Sequence, residues 1–104
     1  AAARDAALAA GPLRAPVARA TNAALRRVER ALTRPEGLRT RPWYRNLIYA
    51  ADENNGYANI VFPSVNEAIR TGDSSLTQRE IDDLAGRFDA ASAALDDAAK
   101  ILRR

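Results

Sequence analysis

The sequence predicts an all-α protein of four helices, with a long non-helical segment between the second and third helices that holds a possible small hairpin. Apolar residues recur at steps of three and four in two long segments, which is the period of an amphipathic helix. That period is lost between Pro35 and Pro63, where aromatic and β-branched residues collect instead. A chain of 104 residues suits one domain. We therefore expect a single helical domain over residues 1–104, with residues 1–15 as an N-terminal helix and linker.

Breaker residues delimit the first two predicted helices. A short Ala-rich helix over residues 1–10 ends at Gly11-Pro12, and a second helix has Pro16 in its first turn and stops near Thr33. Such a helix packs on others through one apolar face. The apolar face of the second helix consists of Val17, Ala20, Ala24, Leu25, Val28, Ala31 and Leu32.

Capping boxes predict where the last two helices begin. Ser64 and Glu67 have the spacing in which a Ser hydroxyl and a Glu carboxylate satisfy free backbone N–H groups, so we expect a helix over residues 65–71. Thr77 and Glu80 repeat this spacing at the start of the last helix. The last helix carries an apolar stripe at heptad spacing, formed by Ile81, Leu84, Phe88, Ala91, Leu95, Ala98 and Leu102. The stripe is predicted to be bundle core, with contact to another molecule as the alternative.

The segment between the second and third helices carries one turn signal. Asn55-Gly56 lies between two apolar stretches, and glycine accepts the positive φ that a tight turn requires. This pattern predicts the small hairpin.

Charge is unevenly distributed along the chain. Residues 1–45 hold ten Arg against three acids, a net charge of +7, whereas residues 46–104 hold six basic and ten acidic residues, a net charge of −4. This pattern favours a basic helix packed on an acidic last helix over a nucleic-acid surface, because the aromatic residues that would stack on bases lie away from most arginines. The apolar runs are too short to cross a bilayer. We therefore expect neither nucleic acid nor a membrane as a partner.

The composition excludes most catalytic chemistry within the chain. It contains no Cys and no His, so thiol nucleophiles, imidazole bases and the common zinc sites are excluded. Ser74-Ser75 has no neighbouring base to activate it. Three adjacent acid pairs are predicted to be solvated, because neighbours on a helix point about 100° apart and do not clamp a metal together. These pairs are Asp52-Glu53, Asp82-Asp83 and Asp96-Asp97. We expect no catalytic residue, metal ligand or cofactor in this chain.

Arginines surround the aromatic residues of the long loop. Arg39, Arg41 and Arg45 flank a Pro-Trp-Tyr run, where they could bind a carboxylate or stack on the rings, or instead anchor the loop to the bundle. Composition favours anchoring. The predicted anchors are Arg41, Trp43, Tyr44, Arg45 and Tyr49.

An ordered series of motifs in this loop and its flanks resembles a known family. The motifs are Val28-Glu29-Arg30-Ala31-Leu32, Pro35-Glu36-Gly37-Leu38, Arg41-Pro42-Trp43-Tyr44-Arg45-Asn46-Leu47-Ile48-Tyr49-Ala50, Asn55-Gly56-Tyr57-Ala58 and Phe62-Pro63. The series is similar to the transferrin receptor-like dimerisation domain, the C-terminal helical domain of the transferrin receptor, glutamate carboxypeptidase II and related M28-family zinc peptidases. The resemblance covers about residues 16–104, and it implies a four-helix bundle with a long ordered loop between two of the helices.

The resemblance implies a non-catalytic domain of a larger zinc peptidase. In such peptidases, zinc and the catalytic Glu belong to an upstream protease domain, while the helical domain forms the homodimer and completes the substrate pocket with a loop, here residues 52–58. Asn55, Gly56 and Tyr57 are the pocket residues by resemblance, and Gly56 stands where glutamate carboxypeptidase II has a Lys that holds a glutamate carboxylate. The implied partners are a second copy of the parent chain and the protease domains of both copies. An extracytoplasmic location is favoured by the resemblance only.

A different class of function is the alternative. The chain could be an autonomous basic helical adaptor that binds an acidic protein or nucleic acid through the arginines of residues 15–45. The affinity of such an adaptor for a polyanion would fall steeply with salt, whereas a dimerisation domain would bind polyanions weakly at any salt concentration.

Overall fold

A computed structural model describes residues 2–9, 11–12, 14–54 and 58–103. Within these residues it contains four α-helices and one two-stranded sheet. The elements are α1 (Ala2–Ala9), α2 (Ala15–Ala31), β1 (Tyr49–Ala51), β2 (Asn59–Val61), α3 (Pro63–Thr71) and α4 (Ser74–Leu102). The predicted all-α class is confirmed, as is the long segment with a small hairpin between the second and third helices.

The described residues belong to two compact units. One unit consists of Ala1–Arg30 and Asp89–Arg104, and the other of Ala31–Phe88. The first unit buries mainly small side chains, which let helices approach closely: Ala3, Thr21, Ala24, Ala91, Ala94 and Ala98. In this unit, Arg27 of α2 lies 3.5 Å from Asp97 of α4, as expected for a basic helix beside an acidic one.

The second unit has its own apolar core. The core is drawn from the long loop, both strands and α4, and consists of Leu38, Leu47, Ala50, Ile60 and Leu84, with Tyr44 and Val65 packed against it. Leu38 and Leu47 are fully buried although they belong to no helix or strand. The non-helical segment is therefore an ordered part of this core.

Strands β1 and β2 form the predicted hairpin. They pair antiparallel, with Tyr49 opposite Val61, Ala50 opposite Ile60 and Ala51 opposite Asn59. Because successive side chains of a strand point to opposite faces, Ala50 and Ile60 enter the core while Tyr49 and Val61 stay exposed. The predicted turn residues Asn55-Gly56 lie outside the described residues.

Backbone hydrogen bonds order the long loop between α2 and β1. At its base, the N–H of Arg34 donates to the carbonyl of Arg45 over 2.9 Å, and the N–H of Leu47 donates to the carbonyl of Leu32 over 3.1 Å. The Oδ1 atom of Asn46 accepts hydrogen bonds from the two N–H groups that lead into β1. These bonds close the loop at its two ends.

Gly37 permits a close approach within this loop. Its φ is +69°, and a Cβ atom at this position would lie 2.0 Å from the carbonyl oxygen of Pro42. Glycine alone adopts this backbone conformation at low cost and leaves room for Pro42.

Helix α3 begins without the predicted capping box. It starts at Pro63, and its N-cap residue Phe62 has a left-handed backbone (φ 45°) with no side-chain cap hydrogen bond in the described part of the chain. The hydroxyl of Ser64 is buried and has no hydrogen-bond partner among the described residues. Glu67 bonds to side chains of the long loop instead, so the capping-box prediction is wrong. The predicted end of the helix at residue 71 is confirmed, and Gly72 follows it in a left-handed C-cap conformation.

Helix α4 begins one turn earlier than predicted. It starts at Ser74, and Oδ1 of Asp73 accepts a hydrogen bond from the N–H of Leu76 over 3.0 Å. The hydroxyl of Thr77, the predicted N-cap, donates to the carbonyl of Asp73 over 2.9 Å. The Thr77 capping box is therefore wrong, because Asp73 is at least as good an N-cap residue and lies closer to the end of α3.

The apolar stripe of α4 is only partly core. Leu84, Ala91 and Ala98 are buried as predicted, together with Ala94. Ile81, Phe88 and Leu95 are 43%, 41% and 51% exposed, so the prediction of a wholly buried stripe is wrong for these side chains. Apart from Leu84, the buried apolar residues of the helix are alanines, whereas Ile81, Phe88 and Leu95 remain exposed. Neither α4 nor any other helix in the described part of the chain is apolar enough over a sufficient length to span a membrane.

Substitution of Gly37 tests the close approach. Gly37→Ala should lower the free energy of unfolding by about 3 kcal/mol, because alanine would combine a left-handed backbone with a Cβ atom that overlaps Pro42. Gly72→Ala is the matched control: its φ is +75°, but no described atom lies within 4 Å of the added Cβ, so only the backbone cost of about 1–2 kcal/mol applies. Urea denaturation followed by circular dichroism measures both. Equal losses would show that the loop relaxes away from Pro42.

Candidate functional site

A buried ion pair joins the long loop to α3. Nη2 of Arg41 lies 2.7 Å from Oε1 of Glu67, a residue that is only 2% exposed. The hydroxyl of Thr40 donates to Oε2 of the same carboxylate over 3.1 Å. Nη1 of Arg41 donates to the carbonyl of Ala51, at the end of β1, over 2.7 Å. Arg41 thus holds the loop, β1 and α3 together.

The other predicted loop anchors take different positions. The hydroxyl of Tyr44 donates to the carbonyl of Tyr49 over 2.8 Å. The Tyr44 ring also lies 5.8 Å from the guanidinium carbon of Arg41 and meets the Trp43 ring edge to face. Trp43 is 74% exposed, and Arg45 is exposed as well. The structure therefore brings Arg41, Tyr44 and Tyr49 together and leaves Trp43 and Arg45 at the surface.

The predicted pocket loop lies partly outside the described residues. Its three proposed pocket residues, Asn55, Gly56 and Tyr57, fall between the described residues 54 and 58. The stem of the loop consists of residues 52–54 and Ala58, and hydrogen bonds hold it together. There, the N–H of Asp52 donates to the carbonyl of Ala58 over 2.8 Å, and Oδ1 of Asp52 accepts a hydrogen bond from the N–H of Asn54 over 2.9 Å.

A bidentate ion pair connects this stem to α3. Nη1 and Nη2 of Arg70 donate to Oδ1 and Oδ2 of Asp52 over 3.1 Å and 2.7 Å. The side chain of Asp52 is 14% exposed and that of Arg70 is 42% exposed. These hydrogen bonds raise the pKa of the Arg70 guanidinium, against a smaller lowering by burial, and the negative charges of Asp52, Glu53 and Glu67 raise it further. Because the pKa is raised, the contribution of Arg70 to folding is present at any pH below the pKa of an ordinary arginine at which Asp52 is ionised, and it is lost on the alkaline side only as the pH rises through the raised pKa.

A second charged cluster lies between the long loop and α4. Nη1 of Arg34 is 2.6 Å from Glu80 and 3.3 Å from Asp83. Arg87 pairs with Asp83 over 3.0 Å and donates to the carbonyl of Thr33 over 2.8 Å. These side chains line a polar pocket of about 360 Å³ together with Glu36, Gly37 and Arg39. Three positive charges balance three negative ones, so the pocket carries no surplus charge that would attract an ion.

Each adjacent acid pair gives one member to an ion pair. The ion pairs are Asp52 with Arg70, Asp83 with Arg34 and Arg87, and Asp97 with Arg27. The prediction of solvated acids is wrong for Asp52 and Asp83, which are partly buried, because arginines distant in sequence reach them. The described residues contain no group of three His, Cys, Asp or Glu side chains placed to hold a metal ion.

An apolar groove opens beside α4 in the second unit. Phe62, Val65, Ile81, Leu84 and Phe88 line most of its volume of about 300 Å³. The rings of Phe62 and Phe88 meet edge to face, with centroids 6.0 Å apart. Phe62, Ile81 and Phe88 are 38%, 43% and 41% exposed. An exposed apolar patch of this kind is typical of a surface that binds another molecule.

Most of the chain matches one protein family. The family model described as the transferrin receptor-like dimerisation domain matches residues 7–96. The chain belongs to this family. The resemblance seen in the sequence is thereby confirmed, and the matched residues of the dimerisation domain include the long loop, the hairpin and the groove.

Two relatives of this dimerisation domain are peptidase-like by name. A protein of Arabidopsis thaliana named probable glutamate carboxypeptidase is 45% identical over 51 residues, which is 49% of this chain and 8% of the relative. A protein of Schizosaccharomyces pombe named inactive zinc metalloprotease is 36% identical over 70 residues, which is 67% of this chain and 9% of the relative. The matched stretch thus covers less than a tenth of the length of each of these relatives.

Several features of the site have no local signal in the sequence. The pairing of Glu67 with Arg41 and that of Asp52 with Arg70 join residues 26 and 18 positions apart. One clue to the pair of Glu67 with Arg41 was available. Glu67 follows Ser64 by three positions and precedes Ala68, and all three residues lie on the buried part of α3. An acid on a buried face requires a partner, and the preceding loop is rich in arginine.

Removal of Arg41 tests the buried ion pair. Arg41→Ala should lower the free energy of unfolding by about 3–5 kcal/mol, because it leaves the Glu67 carboxylate buried without a counterion. Arg27→Ala is the matched control, since its pair with Asp97 is half exposed and such pairs contribute at most about 1 kcal/mol. Urea denaturation gives both values. A loss below about 1 kcal/mol for Arg41→Ala would contradict the structural role assigned to this pair.

Proposed function

We propose that this chain forms the homodimer contact of a larger zinc peptidase of the M28 family, and that its apolar groove is part of that contact. The observation that supports this most directly is the exposed aromatic groove in a member of a family named for dimerisation. Aromatic side chains are enriched at interface hot spots, and the rings of Phe62 and Phe88 meet edge to face in the lining of the groove.

The backbone of Phe62 adds support for the groove. Phe62 holds a left-handed conformation that costs a non-glycine residue about 1–3 kcal/mol. Such strain persists where the surrounding structure enforces it, and it is enriched at functional positions. Here it accompanies a ring that lies exposed beside Phe88.

The peptidase chemistry is assigned to other parts of the parent. Zinc polarises a peptide carbonyl and activates water when it is bound. The residues of this chain do not fit a zinc site, because it has no His and no Cys and the described acids form no metal-binding group. We therefore assign the zinc ligands and the catalytic residues to a protease domain of the parent, and to this chain a non-catalytic role.

The hairpin supplies the second part of the proposal. The loop of residues 52–58 completes the substrate pocket through Asn55, Gly56 and Tyr57. Arg41 holds the base of this loop by its hydrogen bond to the carbonyl of Ala51. Tyr57 offers a hydroxyl to the substrate. Because Gly56 provides no ammonium group, the pocket does not favour a C-terminal glutamate through this loop.

The basic-adaptor alternative has less support. Arg27, Arg34 and Arg41 of the basic stretch each form an ion pair with an acid of the same chain. The charges of these three arginines are thus balanced by acids of the same chain. We propose no contact of this chain with nucleic acid or a membrane.

Dimerisation is tested on the groove. In the full-length protein, Phe88→Asp should weaken the dimer at least about thirtyfold, because an aromatic hot spot contributes about 2 kcal/mol or more. Leu25→Asp is the matched control, since Leu25 is similarly exposed (44%) but does not line the groove. Sedimentation velocity over a concentration series measures the dissociation constants, and thermal melting checks that both variants fold. An unchanged dimer in Phe88→Asp would exclude the groove, and a monomeric wild type would exclude the dimer.

The pocket is tested on Tyr57. In the full-length protein, Tyr57→Phe should raise KM or lower kcat/KM for a peptide substrate while the dimer and the melting temperature stay nearly unchanged, because only a hydroxyl is removed. Tyr49→Phe is a control for the loss of a phenol hydroxyl from an exposed tyrosine of β1. If stability falls by more than about 1 kcal/mol and the kinetics do not move, Tyr57 is a structural residue and the pocket assignment fails.

A further inference from the structure

We propose that Arg70 is a positioning residue of the pocket loop: its bidentate pair with Asp52 holds the loop stem against α3 and thereby sets the apparent affinity of the pocket for substrate. The inference rests on the proposed pocket function of residues 52–58. It adds a residue outside the loop, on a different element, that controls the loop.

Asp52 is the junction of the stem. Its N–H closes the loop by donating to the carbonyl of Ala58, and its Oδ1 atom also accepts the N–H of Asn54. Both of its carboxylate oxygens accept hydrogen bonds from Arg70. A planar guanidinium that binds both oxygens fixes the direction of the carboxylate as well as its distance. Arg70 therefore contributes to the orientation of Asp52, and with it to the path of the chain toward Asn54.

The hairpin needs such a connection. Each strand has only three residues, and two-stranded hairpins are marginally stable in water by themselves. The core side chains Ala50 and Ile60 hold the middle of the hairpin, but the stem residues Asp52 and Ala58 lie beyond the paired strand residues. At the stem, the carbonyl of Ala51 is bound by Arg41 and the neighbouring Asp52 is bound by Arg70. Two arginines from outside the hairpin thus hold consecutive residues.

Arg70 itself is well placed to do this. It lies in the last turn of α3, one turn after Glu67, which the loop residues Thr40 and Arg41 hold in the interior. Ala68 on the same helix is also buried. The position of α3 is therefore set independently of Arg70, and loss of the Arg70 side chain leaves the core of the unit in place. The expected consequence is a looser loop with little change in overall stability.

The experiment compares ligand affinity and local order in the full-length protein. Arg70→Met removes the guanidinium but keeps an unbranched side chain, Asp52→Asn keeps an acceptor for Asn54 while removing the charge, and the double variant tests whether the two act through each other. Arg70→Lys keeps the charge without the bidentate geometry. Arg27→Met is the control for an ion pair elsewhere. The readouts are KM and kcat for a peptide substrate, hydrogen exchange of a peptide spanning residues 50–59, and the melting temperature.

We expect Arg70→Met and Asp52→Asn each to raise KM and the hydrogen-exchange rate of the stem by about three- to tenfold, with kcat changed less than about twofold. The double variant should be no worse than either single one, Arg70→Lys should recover part of the effect, and Arg27→Met should behave as wild type. The inference is overturned if Arg70→Met leaves the hydrogen-exchange rate of the stem unchanged. It is also overturned if Arg70→Met leaves KM unchanged while Tyr57→Phe alters KM. If exchange rises but neither Arg70→Met nor Tyr57→Phe alters KM, the pocket function itself fails.

Discussion

The Arg41–Glu67 ion pair is the interaction on which the second unit depends. It is formed by a loop residue and a helix residue, and it also binds the backbone at the end of β1. A buried carboxylate is tolerated only with a counterion and hydrogen bonds, and Glu67 receives one of each from neighbouring positions of the loop. The loop, the hairpin and α3 are therefore joined by one hydrogen-bonded group. Loss of one partner of such a pair is costly, although replacement of both partners by apolar side chains of similar size is often neutral for stability.

The motifs that reveal the family are mostly structural in this chain. Gly37 allows the approach to Pro42, Leu38 and Leu47 fill the core, and Asn46 bonds the backbone that enters β1. Their spacing is thus dictated by a loop that must reach back into an apolar core. This explains why a segment without helical period still has a recognisable sequence, and why the long loop was predictable as ordered while its hydrogen bonds were not.

The sequence predicted what depends on neighbouring residues and failed where distant residues compete. Helical period, breakers and the hairpin all follow from local patterns. The capping boxes failed because Glu67 has a stronger partner in Arg41, and because Asp73 starts α4 before Thr77 does. The prediction of a buried stripe on α4 was wrong in part, because periodicity identifies an apolar face but not which of its residues are covered; these are Leu84 and several alanines. The pocket residues 55–57 lie outside the described residues, so their roles rest on the family.

The division of the chain bears on the order in which its parts can form. The unit from Ala31 to Phe88 is continuous in sequence, whereas the other unit is assembled from both ends of the chain. Loop-closure entropy grows with the length of chain that must be closed, so contacts within the continuous unit are cheaper to make than those that join the ends. Low contact order also favours fast folding. The groove and the hairpin stem both belong to the continuous unit. Both can therefore form without contacts between the two ends of the chain.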